Sequence, residues 1–151
     1  MSQSLSKLFV HAVFHTKYNA PLIRPEIENE LYAYMASILK DNQCIPIIIN
    51  GVEDHIHLLF VLSKNIAFSK IMEEVKRHSS RWIKTKSSVY KDFAWQGGYG
   101  GFSVSPSIHD RTKQYIHNQK EHHKKLSFKE EYLLLLKEYG IDYNKDYLWT
   151  E

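Results

Sequence analysis

Between Leu5 and Thr16 apolar and polar positions alternate, which puts Leu8, Val10, Ala12 and Phe14 on one side of a half-buried strand. Past Arg24-Pro25 the period lengthens to that of a helix, with Ile27, Leu31, Met35, Ile38 and Leu39 as its apolar stripe. Proline suits the first helical turn, and Glu26 and Glu28 sit at the positive end of the helix dipole. Cys44–Val52 is rich in β-branched residues and predicts a second strand. Glu53-Asp54 reads as a turn and His55–Ser63 as a third strand, so an antiparallel hairpin is expected. A second helix is predicted from about Ile66 to Lys86, with Phe68, Ile71, Val75, Ser79 and Trp82 turned inward. Phe93–Trp95 and Phe102–Ser105 read as short strands around the glycine-rich run Gln96–Gly101. A third helix is predicted from Ser105-Pro106 to about Lys125. A fourth is signalled by the capping box of Ser127 and Glu130 and ends at Gly140. The order β-α-β-β-α-β predicts an α+β, ferredoxin-like sandwich: an antiparallel sheet with helices on one face, plus C-terminal helices.

At 151 residues the chain is expected to be one domain, 1–151, with 43% hydrophobic and 25% charged residues, enough to exclude disorder. Cys44 stands alone, which excludes an internal disulfide framework and a four-cysteine zinc site. The N-terminal residues lack a signal-peptide layout, and the apolar runs Ile45–Ile49 and Leu58–Leu62 are too short to span a membrane. A cytoplasmic setting is expected. The net charge of +3 is small but unevenly spread. Residues 64–86 carry +5 and residues 109–125 carry +3 with four histidines, on an otherwise acidic chain. Two basic stretches fit either a polyanion-binding surface or two solvated helix faces.

Candidate chemistry lies in two places. In Asp54-His55-Ile56-His57, the histidines are i and i+2 on a strand, roughly 7 Å apart on one face, close enough to converge on one metal ion. Two imidazoles alone do not choose the ion, and a pair of partly exposed strand histidines is the plain alternative. In Tyr115-Ile116-His117-Asn118-Gln119, Tyr115 and Gln119 are i and i+4, neighbours on one helix face. A tyrosine with an ordinary pKa of about 10 is a nucleophile only toward an electrophile already polarised by a metal or cations. Gln119 offers that metal an oxygen. Among ten tyrosines, packing is the alternative for Tyr115. His117, His122 and His123 are expected to face solvent or phosphate rather than a metal. A nucleotide P-loop is rejected, because no Gly-Lys-Ser/Thr follows the glycines.

His55-Ile56-His57 and Tyr115-Ile-x-Asn-Gln119 resemble the single-tyrosine HUH transposases of small bacterial insertion sequences. They also resemble the related transposases that act on repetitive extragenic palindromes. Val13–Tyr18 is similar to the family's first strand, Lys76–Ile83 to its second helix and Trp95–Ser105 to its glycine segment. Asn118-Gln119-x-x-His122-His123 and Tyr143-x-x-x-Tyr147-Leu148-Trp149 extend the likeness over almost the whole chain. The resemblance implies that His55, His57 and Gln119 hold Mg²⁺ or Mn²⁺. It implies that Tyr115 attacks single-stranded DNA beside a hairpin, giving a 5′-phosphotyrosine and a free 3′-OH. It also implies a homodimer in which the tyrosine helix of one subunit completes the site of the other, and the strand-rich N-terminal half offers Phe9, Val13 and His15 as a candidate dimer edge. Lys70, Lys76, Arg77, Arg81 and Lys84 are then expected to track hairpin phosphates. Tyr99 and Phe102 would stack on unpaired bases, packing in the core being the alternative. A domesticated or non-catalytic hairpin-binding protein is the rival reading, against which the four intact site residues argue.

Overall fold

The computed structural model describes residues 2–149. Four strands form one antiparallel sheet: β1 (Leu8–His15), β2 (Ile45–Val52), β3 (His55–Leu62) and β4 (Gly100–Val104), in the order β2-β3-β1-β4. Strand β1 is central and pairs antiparallel with both β3 and β4, with Val13 opposite His57 and His15 opposite His55. The α+β, ferredoxin-like arrangement expected from the element order is present. Because β1 has a neighbour on each side, Phe9, Val13 and His15 form no dimer edge, contrary to expectation. Val13 and His15 are buried within this chain.

Helices α1 (Glu28–Asp41) and α2 (Phe68–Lys84) cover one face. The turn Pro25–Ile27 feeds α1, as the position of the proline requires. Ala12, Phe14, Ile56, Leu58 and Phe60 from the strands pack there on Leu31, Met35, Ile38, Leu39, Ile71 and Val75. Apart from Ala12, each of these buried side chains contributes about 1.5–3 kcal/mol of transfer free energy. Trp82, expected inward, is half-buried and stacks on Tyr34, while Ile83 takes the core position.

Period-two alternation sends the other half of each strand to the opposite face. There His11, Val13 and His15 of β1 lie beside His55, His57 and Leu59 of β3. This face is closed by α3 (His109–His117), α4 (Gln119–His122) and α5 (Phe128–Glu138), and α6 (Lys145–Leu148) follows. Val13 and Phe102 pack on Phe128, Tyr132, Leu135 and Leu136; Leu59 and Val104 pack on Ile116.

Two local expectations are corrected. Phe93–Trp95 is not a strand, since Trp95 makes only one bridge, to Thr16. The Trp95 ring is drawn into the core against Phe14, and its indole N–H donates to Ser79 Oγ (3.0 Å). The third helix does not run to Lys125. Asn50 of β2 donates to the carbonyls of Ile116 (3.0 Å) and His117 (3.1 Å), and the chain breaks at Asn118 into α3 and α4. A helix end leaves its last carbonyls without ladder partners, and Asn50 supplies donors to two of them.

The β2–β3 hairpin that presents His55 requires Gly51. A Cβ there would stand 2.2 Å from the His55 carbonyl oxygen and 2.9 Å from Ile56 Cα, both backbone atoms. Gly51→Ala is expected to destabilise the chain by about 1–3 kcal/mol, the range for overpacking. Gly97→Ala, with nothing within 4 Å, is expected to change little. Denaturant midpoints check both, and equal midpoints would contradict the role given to Gly51.

Candidate active site

The site grows from two strand residues. His55 and His57 project from β3 onto the face closed by the C-terminal helices, and both are fully buried. Outer contacts aim each ring. His55 Nδ1 lies 2.7 Å from Asp54 Oδ1, and His57 Nδ1 lies 2.8 Å from Nε2 of His11, a buried residue of β1. Their Nε2 atoms therefore face the space between sheet and helices.

Glu131 of α5 fills that space and is 1% exposed. Its Oε1 is 2.9 Å from His57 Nε2, 3.3 Å from His55 Nε2 and 3.2 Å from His123 Nε2. Its Oε2 accepts hydrogen bonds from the hydroxyl of Tyr115 and from Nε2 of Gln119 (3.1 Å). Gln119 is buried, and its Oε1 is 3.1 Å from both His55 Nε2 and His123 Nε2. The half-buried Tyr115 ring packs edge-on to His57 and against His122. The structure thus brings together His55, His57, Gln119 and Tyr115, the residues singled out in the sequence, and does so within one chain.

Among the described residues, His55, His57 and Glu131 form a cluster that suits a metal ion, their ligand atoms all within 4.8 Å of one another. Imidazole and carboxylate together fit a divalent ion, and Gln119 Oε1 is a further neutral donor beside them. The expected set of two histidines and one amide lacked the carboxylate.

The residues missed in the sequence are Glu131, His123 and His11. Glu131 adjoins Glu130, the residue that completes the capping box with Ser127. Its signal was its place on the buried stripe of α5, with Phe128, Tyr132, Leu135 and Leu136. His123, expected to face solvent or phosphate, is turned inward, its side chain 9% exposed.

The basic residues of α2 divide differently from expectation. Lys70 and Arg77 pair with Glu73 and Glu74 on their own helix. Lys76 Nζ donates to the Gly98 carbonyl (2.8 Å); Arg81 and Lys84 are exposed. All five lie on the helix layer across the sheet from Tyr115. Arg111 and Lys113 are exposed on α3, the helix of the tyrosine, and Lys120 of α4 pairs with Glu28 (3.1 Å). Tyr99 is partly exposed and packs edge-on to Phe68, whereas Phe102 is buried against Tyr139 and takes the packing alternative.

Electrostatics follow from this burial. Desolvation would raise the Glu131 carboxyl, but the bonds from His123, His55 and His57 hold it well below the usual carboxylate range. Burial and the adjacent Glu131 push the Tyr115 phenol well above its ordinary 10, so it is neutral here. His11, desolvated and next to His57, falls from 6.5 to about 3. Burial also opposes charge on His55, yet Asp54 and Glu131 outweigh it and raise the value from 6.5 to about 9. Burial wins at His57, which is lowered.

Solved structures share this architecture. A provisionally assigned transposase from Deinococcus radiodurans superposes with a TM-score of 0.61 at 22% identity, covering 79% of this chain and 98% of that one. A REP-associated tyrosine transposase, solved bound to a REP hairpin, gives 0.60 at 13% identity over 82% of this chain and 74% of that one. The fold is that of the tyrosine transposases. No curated protein matches the sequence. The chain belongs to the IS200-like transposase family, whose model matches residues 4–119. No helix among the described residues is long and apolar enough to cross a membrane.

Two of the three shifted histidines, His11 and His55, contribute opposite limbs to the pH response of the metal-free chain. A depressed folded pKa contributes stability above 6.5 that is lost as the pH falls toward about 3, the case of His11. A raised one contributes below 6.5 and is lost as the pH rises through about 9, the case of His55. In urea melts across pH, His11→Asn is expected to flatten the acid limb and Asp54→Asn the alkaline limb. Curves parallel to wild type would contradict both assignments.

Proposed function

We propose that this transposase cleaves and rejoins single-stranded DNA beside a hairpin, with Tyr115 as its nucleophile. One observation carries the reading: Glu131 bridges the tyrosine hydroxyl, through Oε2, to the histidine pair, through Oε1. The nucleophile and the metal-binding atoms are thereby held in one buried cluster. His55, His57, Glu131 and Gln119 would hold a divalent ion, Mg²⁺ or Mn²⁺. When bound, the ion supplies Lewis-acid polarisation of the scissile phosphate.

The chain's own groups do the rest. Glu131 Oε2 orients the Tyr115 hydroxyl and is placed to take its proton. Attack of the phenol oxygen on phosphorus forms a tyrosine ester and breaks the bond to the 3′ oxygen, which leaves and is protonated to a 3′-OH. The 5′ phosphate stays on Tyr115. Attack by a second 3′-OH reverses the step and returns the proton to the phenol. Joining needs no nucleotide cofactor, because the ester keeps the energy of the phosphodiester. The neutral phenol of the metal-free chain fits a resting state. The cations of α3 lie on the side from which DNA would approach, and a hairpin-bound protein of the same fold supports hairpin recognition. Acting on DNA, the protein is expected to work in the cytoplasm.

The resemblance implies dimers with sites shared between subunits. Here Tyr115 reaches its own Glu131, an arrangement that supports a site complete within one chain.

Tyr115→Phe is expected to bind hairpin DNA as wild type does and to form no covalent adduct on a denaturing gel. EDTA is expected to stop cleavage and Mn²⁺ or Mg²⁺ to restore it. Full adduct from the phenylalanine variant, or cleavage indifferent to chelator, would refute the reading. Tyr115→Phe and His57→Ala, refolded together, are expected to stay inactive. Recovered cleavage in the mixture would instead show that the tyrosine is exchanged between subunits.

A further inference from the structure

His123 has no part in the reaction proposed above, and the family match stops at Gln119, short of it. Its surroundings repeat those of His55. In each ring Nδ1 meets a group that can only accept: Asp54 Oδ1 at 2.7 Å for His55, the Leu126 carbonyl at 2.6 Å for His123. When such a ring is neutral, its single N–H is thus directed outward. The inward Nε2 atoms converge on two acceptors, at 3.1–3.3 Å from Gln119 Oε1 and Glu131 Oε1. His57 Nε2 is 2.9 Å from the same carboxylate oxygen. Acceptors gathered in a dry site need positive charge among them, carried by protons on the imidazoles of the metal-free chain or by a metal ion in their place. Outward anchoring of one ring nitrogen with the other aimed inward is how metal-binding histidines are held.

We propose that His123 is a third imidazole ligand. The ion is then held by Nε2 atoms of His55, His57 and His123 with oxygen from Glu131 or Gln119. Such a donor set favours transition ions such as Mn²⁺ and Co²⁺ over Mg²⁺, which takes oxygen ligands and keeps its water. The inference rests on the reading that this cluster binds a metal.

The test is metal binding by the full chain without DNA, using Co²⁺ as probe, followed by calorimetry and visible absorption. His123→Ala and the polar His123→Asn are expected to weaken Co²⁺ binding by about tenfold or more and to alter the absorption bands. His117→Ala, an exposed neighbour, is expected to behave as wild type. X-ray absorption of the Co²⁺-loaded wild type needs no variant and is expected to count three imidazoles; Mg²⁺ is expected to bind more weakly than Co²⁺. Two imidazoles in the wild type, or wild-type affinity and spectrum in both His123 variants while His57→Ala loses the ion, overturns the role of His123 and leaves the proposed reaction standing. A wild type that takes up no divalent ion overturns both.

Discussion

A carboxylate buried between a sheet and its helices is the constraint on which this half of the molecule depends. Removing a charge from water costs several kcal/mol unless hydrogen bonds and opposite charge replace the lost hydration. Glu131 finds its replacements on four separate pieces of chain: the histidines of β3, Tyr115 of α3, Gln119 of α4, and His123 just beyond. The apolar contacts of Phe128, Tyr132, Leu135 and Leu136 hold α5 to the sheet but have no preferred direction. Directed bonds to Glu131 supply the register. Helix α5 docks where its carboxylate meets the imidazoles, and α3 and α4 are drawn to the same point.

The central position of β1 makes this possible. Helices pack on both faces of this central strand, and the two faces differ in kind. One side of β1 and β3 is hydrocarbon throughout, against α1 and α2. The other is lined with imidazoles, which a solvated face would leave mobile and a purely apolar face would exclude. Covering them with helices lowers the local dielectric and strengthens each polar contact within. His11 illustrates the result: held neutral by burial, it serves as a fixed partner for His57 Nδ1.

Much of this was legible in the sequence because it is written in short-range periodicity. Alternation along β1 and β3, the stripe of α1 and the capping box at Ser127 are local signals, and together they specify the order of elements. His55 and His57 were visible because i and i+2 share a strand face. Tyr115 and Gln119 were visible as i and i+4, although the helix joining them is broken. What stayed hidden depends on distant parts of the chain. The break at Asn118 is capped by Asn50, far away in sequence. Glu131 looked like one more surface acid in a first helical turn, and His123 like one more polar histidine among several. Counting charges located two basic stretches but could not say that α2 lies across the sheet from the tyrosine. Phe102 and Tyr99 read alike as aromatics near glycines; only packing on Tyr139 separates the buried one from the half-open one.

The interruption at Asn118 has a mechanical consequence. A helix continuing through that point would weld Tyr115 to Gln119, and neither could move alone. As built, α3 is a nine-residue rod, about 13 Å long, jointed at the turn Pro106–Ile108 and again at Asn118. Rotation about those two joints would swing the tyrosine while the histidines stay fixed in the sheet and the glutamine stays with α4. The latch on that rod is the Asn50 side chain, with Lys120 reaching to Asn50 and the Gly51 carbonyl beside it. Strand β2, which contributes no side chain to the Glu131 cluster, thereby helps to set how tightly Tyr115 is held.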